Sequence, residues 1–170
     1  SNNIDATGNI LNNILRGNSG TNRLTGDDGD DKLFGYSGND TLSGGVGADY
    51  LDGGDGDDDM SGGDGDDTYI VDSTSDTVTE QSSEGTDRVF SSVSFTLSSD
   101  VENLNLTGSN NIDATGNILN NILRGNSGTN RLTGEDGDDK LFGYSGNDTL
   151  TGGVGTDYLD GGTGDDDMSG

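Results

Sequence analysis

The stretch from Gly26 to Ile70 reads GDDGDDKLF (26–34), GYSGNDTLS (35–43), GGVGADYLD (44–52), GGDGDDDMS (53–61) and GGDGDDTYI (62–70). Five consecutive nonamers keep glycine at the first and fourth places, Asp at the sixth and an apolar residue at the eighth. A period of nine matches neither an amphipathic helix nor a simple alternating strand. It describes a six-residue turn followed by a three-residue strand whose middle side chain points inward. Glycine allows the positive φ values and close backbone approach of a tight turn, and a single apolar residue per block can be buried only if blocks stack. Two blocks then make one coil. Leu15, Leu33, Leu51 and Tyr69 fall in one inward column, and Leu24, Leu42 and Met60 in the other. The expected fold is all-β, a right-handed parallel β-solenoid.

Working outward, the nine-residue rhythm starts at Gly8 and Gly17, and the whole segment from Ser1 to Gly62 returns as Ser109 to Gly170. The two copies differ at four positions: Asp27/Glu135, Ser43/Thr151, Ala48/Thr156 and Asp55/Thr163. The chain therefore reads as one and a half units of a tandem array, and we expect it to be a window on a longer protein.

Stacked coils place identical turns over one another at the strand spacing of about 4.8 Å. The sixth-place Asp of one block then meets that of the block two further on. Asp31 faces Asp49, Asp49 faces Asp67 and Asp40 faces Asp58; in the second copy Asp139 faces Asp157 and Asp148 faces Asp166. Carboxylates so close resist joint ionisation. A divalent cation reverses the sign of that interaction, and hard oxygen donors in flexible geometry select calcium over magnesium. Five Asp–Asp pairs give about five calcium ions, whose +10 would bring the net charge of −26 to −16. The sixth place holds Asn13, Asn22, Asn121 and Asn130 in the outlying blocks. Those turns are weaker ligand sets, expected to be held by hydrogen bonds between stacked Asn amides, with a fringe ion where Asn22 sits against Asp40.

The blocks GGVGADYLD, GGDGDDDMS and GGDGDDTYI carry the calcium-binding signature G-G-x-G-x-D-x-U-x. They resemble the repeats-in-toxin (RTX, haemolysin-type calcium-binding) family, strongly over Gly26–Ile70 and equally over Gly134–Gly170. The segment from Asp76 to Ser109 also resembles stretches found between such blocks in large secreted bacterial proteins. The resemblance implies a parallel β-roll with calcium between its turns and export by a type I system, hence an extracellular or cell-surface location. It divides the chain into degenerate Asn-type coils (1–25), calcium-binding nonamers (26–70), a strand-rich segment (71–107), degenerate coils again (108–133) and a second set of nonamers (134–170). In 71–107 the alternation of Val93, Phe95 and Leu97, then Leu104 and Leu106, argues strands with one buried face. Because the step from Ser1 to Ser109 is a whole number of coils, six, that segment can continue the solenoid in register; a separate small sandwich is the alternative.

Composition narrows the remaining choices. The 33 acidic residues oppose 7 basic ones, and Leu, Ile, Val and Phe together make up under a fifth of the chain. So little apolar surface does not offset chain entropy unaided, and order must be supplied from outside the chain. No stretch approaches the apolar length of a membrane span, and the opening stretch through Asp30 lacks a basic start followed by an apolar run. The absence of Cys and His removes disulfides, thiolate and imidazole metal sites and the commonest nucleophile–base pairs. A surface this acidic repels nucleic acid. Asp57 to Thr68 imitates the start of an EF-hand loop but has Thr68 at its twelfth place, where Glu is needed, and no glycine precedes Lys32 or Lys140 as a P-loop requires. Phe34, Tyr36, Tyr50, Phe142, Tyr144 and Tyr158 should point outward, as a self-association or ligand surface or as ordinary cover for strand edges.

No nucleophile with a base is assembled, and a catalytic role is not expected. The function read from the sequence is a calcium-dependent structural module of a secreted or surface protein of adhesin, filament or surface-layer type, with self-association into an array as a further expectation. The alternative is an export and folding module beside a secreted protease, lipase or epimerase. An ice- or sugar-binding face would need flat ranks of Thr or aromatics, whereas Thr25, Ser43 and Ser61 make only a mixed row.

Overall fold

A computed structural model describes residues 2–170. The chain forms two compact units, one through Val89 and one from Phe90 to Gly170. In the first the strands are β1 (Asp5–Thr7), β2 (Ile14–Arg16), β3 (Arg23–Asp28), β4 (Lys32–Ser37), β5 (Thr41–Val46), β6 (Tyr50–Asp55), β7 (Asp59–Asp64), β8 (Thr68–Val71) and β9 (Thr77–Thr79). The odd-numbered strands pair in parallel as one wall and the even-numbered strands as the other. Each strand thus pairs with the strand two further on: Leu15, Leu33, Leu51 and Tyr69 lie in register on one wall, Leu24, Leu42, Met60 and Val78 on the other. Leu33, Leu51, Tyr69, Leu24, Leu42 and Met60 are buried, while Leu15 is half-buried. The core is one side chain deep per strand, each fully buried Leu contributing roughly 1.5–3 kcal/mol.

The strand β10 (Arg88–Ser91) carries the buried Val89 and Ser91. The second unit contains β11 (Phe95–Thr96), β12 (Asn103–Leu106), β13 (Ala114–Thr115), β14 (Ile122–Arg124), β15 (Arg131–Asp136), β16 (Lys140–Phe142), β17 (Thr149–Val154), β18 (Tyr158–Asp160) and β19 (Asp167–Ser169). It repeats the architecture: Leu104, Leu123, Leu141 and Leu159 stack on one wall, and Ala114, Leu132, Leu150 and Met168 on the other. Each unit is thus a parallel β-solenoid. Among the described residues no helix is long and apolar enough to cross a membrane.

Strands β3 to β7 run six residues, twice the length the nonamer suggests. The parallel ladder continues past each strand into the turn, pairing Asp27 with Gly45 and Asp28 with Val46. Gly29 N then donates to Val46 O at 2.7 Å and Gly47 N to Asp64 O at 2.7 Å. Turns of identical shape stack as strands do, so their backbone groups are satisfied by the next coil. Gly47, at φ +135°, holds a fourth-place conformation that disfavours any side chain. The second place also turns left-handed, and there four blocks carry Asp27, Tyr36, Glu135 and Tyr144 at φ between 69° and 84°.

Of the outer aromatics Tyr36, Tyr144 and Tyr158 are exposed and Phe34, Tyr50 and Phe142 half-buried, and they gather in two groups. Phe34 lies 5.7 Å from Tyr50 and 6.5 Å from Tyr36 between ring centroids, with the Arg16 guanidinium 5.4 Å above the Phe34 ring. Phe142, Tyr158, Tyr144 and Arg124 repeat the group.

Candidate calcium sites in the stacked turns

The sixth-place residue ends each turn and precedes each inward strand, so its backbone joins the ladder while its side chain turns into the coil. Asp31, Asp40, Asp49, Asp58, Asp67, Asp139 and Asp148 are 1–2% exposed. Asp157 and Asp166 are half-buried.

Each facing pair read from the sequence is joined by one backbone hydrogen bond. Asp31 N donates to Asp49 Oδ1 and Asp49 N to Asp67 Oδ1, both at 2.7 Å. Asp40 N donates to Asp58 Oδ1 at 2.7 Å. In the second unit Asp139 N reaches Asp157 Oδ1 at 3.0 Å and Asp148 N reaches Asp166 Oδ1 at 2.9 Å. The second carboxylate oxygen behaves differently. Oδ2 of Asp31, Asp40, Asp49, Asp58, Asp67, Asp139, Asp148 and Asp157 is buried with no hydrogen-bond partner. An orphaned carboxylate oxygen out of water is costly unless it coordinates something.

The first-place glycine makes room for that oxygen. A Cβ on Gly44 would lie 2.2 Å from Asp49 Oδ2 and 2.7 Å from Gly62 O. The cradle over the carboxylate is therefore lined by oxygen and closed to any side chain. A hard divalent cation fits this donor set of carboxylate and carbonyl oxygens.

Electrostatics agree. Burial, reinforced by the facing carboxylates, pushes Asp49 up to about 6, Asp58 to about 7 and Asp67 to about 8. The backbone N–H each accepts opposes this without cancelling it. Asp40, Asp139 and Asp148 are raised as well, mainly by burial.

The Asn turns close differently from expectation. Their amides bond to backbone and to their own block, not to a stacked Asn. Asn22 Oδ1 accepts from Asn18 N at 2.6 Å, and Asn130 Oδ1 from Asn126 N at 2.8 Å. Asn130 Nδ2 donates to Ile112 O at 2.7 Å and to Asn126 Oδ1 at 3.1 Å. An amide carries both donor and acceptor, so one side chain is satisfied by its own block and the backbone of the preceding coil. The residue facing each is an Asp: Asn22 N donates to Asp40 Oδ1 and Asn130 N to Asp148 Oδ1.

Sequence reasoning missed three acidic residues beyond the last nonamer. Asp76 lies 18 residues after Asp58, and its Oδ1 accepts from Asp58 N at 3.0 Å; continuing the same count would have found it. Asp87 Oδ1 accepts from Asp67 N at 2.8 Å across a spacing of 20, which a strict period skips. Glu80 has no counterpart in the nonamer at all. Its carboxylate meets Asp67 and Asp87, with one ligand oxygen from each of the three within 4.8 Å of the others. Burial, then Asp87 and Asp67, push Glu80 up to about 8.

Parallel coils whose turns stack buried, half-satisfied carboxylates define a cation-binding β-solenoid. A model of the RTX calcium-binding nonapeptide repeat matches the chain four times, at residues 7–42, 34–69, 115–150 and 142–170. These matches span well over half of the sequence, and the chain belongs to the RTX calcium-binding nonapeptide repeat family, whose repeats form calcium-binding β-rolls. No curated protein matches it.

Proposed function

We propose that Asp31, Asp40, Asp49, Asp58, Asp67, Asp139, Asp148, Asp157 and Asp166 are the calcium ligands and that about five ions bind between their facing turns. The carrying observation is the row of buried Oδ2 atoms without partners, set in cradles that a Cβ would fill. Bound calcium supplies the positive charge between facing carboxylates. The chain's own residues do the rest: Oδ1 of each Asp fixes the coil before it through a backbone N–H, the first-place glycine keeps the carboxylate uncovered, and the eighth-place residue anchors the turn to the core.

On this reading the module is a calcium-dependent structural repeat of a secreted or cell-surface bacterial protein of adhesin, filament or surface-layer type. Two copies that differ at four of 62 compared positions suit a spacer extended by adding units. A chain this acidic stays open where calcium is scarce and folds where calcium is millimolar, because a ligand that binds only the folded state stabilises it in proportion to the logarithm of its concentration. One site at a hundred times its dissociation constant contributes about 2.7 kcal/mol.

Far-ultraviolet circular dichroism with and without chelator, together with calorimetric counting of ions, tests this reading. A β-rich spectrum that appears only with calcium, and about five ions per chain, are expected. A β-rich spectrum unchanged by chelation would refute it.

A further inference from the structure

Where the nonamers stop, the first unit buries a carboxylate that belongs to no turn. Ser61 pairs with Thr79, so Glu80 stands at the register position of Gly62, where the nonamers place glycine. The space that glycine leaves above an Asp carboxylate is here entered by a second carboxylate. Tyr69, the buried inward residue of β8, holds it: the Tyr69 hydroxyl accepts from Gly62 N and donates to Glu80 Oε1. Glu80 Oε2 and Asp67 Oδ2 are buried without partners, in residues 6% and 1% exposed. Asp87, fully buried, joins them through the bond from Asp67 N to its Oδ1.

We propose that Asp67, Glu80 and Asp87 form a further divalent-cation site, which shares Asp67 with the last Asp–Asp pair and closes the column that Asp31, Asp49 and Asp67 begin. Oxygens bound to one calcium at 2.3–2.6 Å lie no more than about 5 Å apart, and one oxygen from each of the three carboxylates lies within 4.8 Å of the others. Their combined charge of −3 exceeds that of any two-Asp turn, and Tyr69 fixes Glu80 in advance. Ligand charge and rigidity set calcium affinity, so this site should bind more tightly than the turns, by about tenfold. It rests on the preceding reading only in sharing Asp67.

Calcium and terbium titrations of the 170-residue chain and its Glu80→Gln variant test the proposal. Gln keeps the acceptor for the Tyr69 hydroxyl and removes the charge. The variant should bind one ion fewer, lose the tightest binding class, and lose much of the terbium luminescence that Tyr69 sensitises. It should also be less stable than wild type in calcium but more stable in chelator, a reversal that a purely packing role for Glu80 would not produce. Unchanged ion count and affinity in a folded variant would overturn this site while leaving the turn sites standing. A single tight ion lost with Glu80, and none elsewhere, would uphold this site and overturn the turns. Should the variant not fold, anomalous scattering from wild-type crystals grown with manganese or terbium decides: a peak among the three carboxylates supports the site, and none overturns it.

Discussion

The Asp turns and the Asn turns share a backbone and a register but settle their polar groups by opposite means. In the Asn turns both ends of the amide are used: Asn130 bonds Asn126 N, Ile112 O and Asn126 Oδ1, and needs nothing from solution. In the Asp turns one oxygen bonds the neighbouring coil and the other is buried alone. Replacing an NH₂ with an oxygen thus converts a self-sufficient coil into one that depends on a cation. A solenoid can mix the two, keeping coils that hold shape beside coils whose cohesion follows calcium.

The largest effect should come from breaking an Asp column at its middle. Asp49→Ala leaves Asp31 N without an acceptor and removes a carboxylate from both the 31/49 and 49/67 pairs. A buried donor left unmade costs about 1–3 kcal/mol before any lost ion is counted. Denaturation in calcium should show a fall of roughly 3 kcal/mol or more, and calorimetry two ions fewer. Asp49→Asn separates the two roles: it keeps the acceptor for Asp31, so it should weaken the fold in calcium yet strengthen it in chelator.

The converse change turns an Asn coil into an Asp coil. Asn130→Asp sets a carboxylate against Ile112 O and Asn126 Oδ1, both acceptors, and faces Asp148. Without metal the chain should lose on the order of 1–3 kcal/mol; with calcium it should bind one additional ion. An unchanged ion count would show that facing carboxylates alone do not make a turn site.

Acidity should act on the Asp turns rather than on the Asn turns, whose amides do not titrate. Asp49, Asp58 and Asp67 titrate near 6, 7 and 8 in the folded metal-free chain, above the unfolded value of about 3.9. A carboxyl whose pKa rises on folding favours the folded chain at low pH; that contribution is full below about 3.9 and fades as pH climbs from there to the folded values of about 6, 7 and 8. Calcium must displace those protons, so its affinity should fall as pH drops from 8 to 6, by about tenfold per unit for each proton released. Titrations at pH 8, 7 and 6 read this directly, and equal affinities would show that the carboxylates bind calcium already ionised.

The smallest effect lies at the second place of the turn, where Glu135 adopts φ 78° and blocks such as GGVGADYLD have glycine. Glu135→Gly should raise stability in calcium by roughly 1 kcal/mol, since the left-handed conformation costs a side chain about that much. Asp27→Gly should gain less, because Asp tolerates the region better.

The nonamer made the fold legible wherever it held. Its eighth-place residues named both inward columns, and its sixth-place Asp residues named each facing pair, because one physical repeat fixes both. What it could not announce lay where the repeat changes length. The spacing from Asp67 to Asp87 is two residues longer than a coil, so Asp87 and Glu80 fell outside the count, although Asp76 kept the 18-residue step from Asp58. The extended ladder through the turns was also hidden, since Gly-rich stretches carry no strand propensity. The Asn amides were assigned to one another because the sequence shows which residues stack, not which backbone carbonyls lie within reach.

Amide hydrogen exchange across the chain, in millimolar calcium and after chelation, tests most directly whether metal holds the Asp turns together. The amides of Asp31, Asp40 and Asp49, each bonded to the carboxylate of the next coil, should be strongly protected with calcium and exchange as an open chain does without it. Protection that survives chelation at those three amides would contradict the central claim.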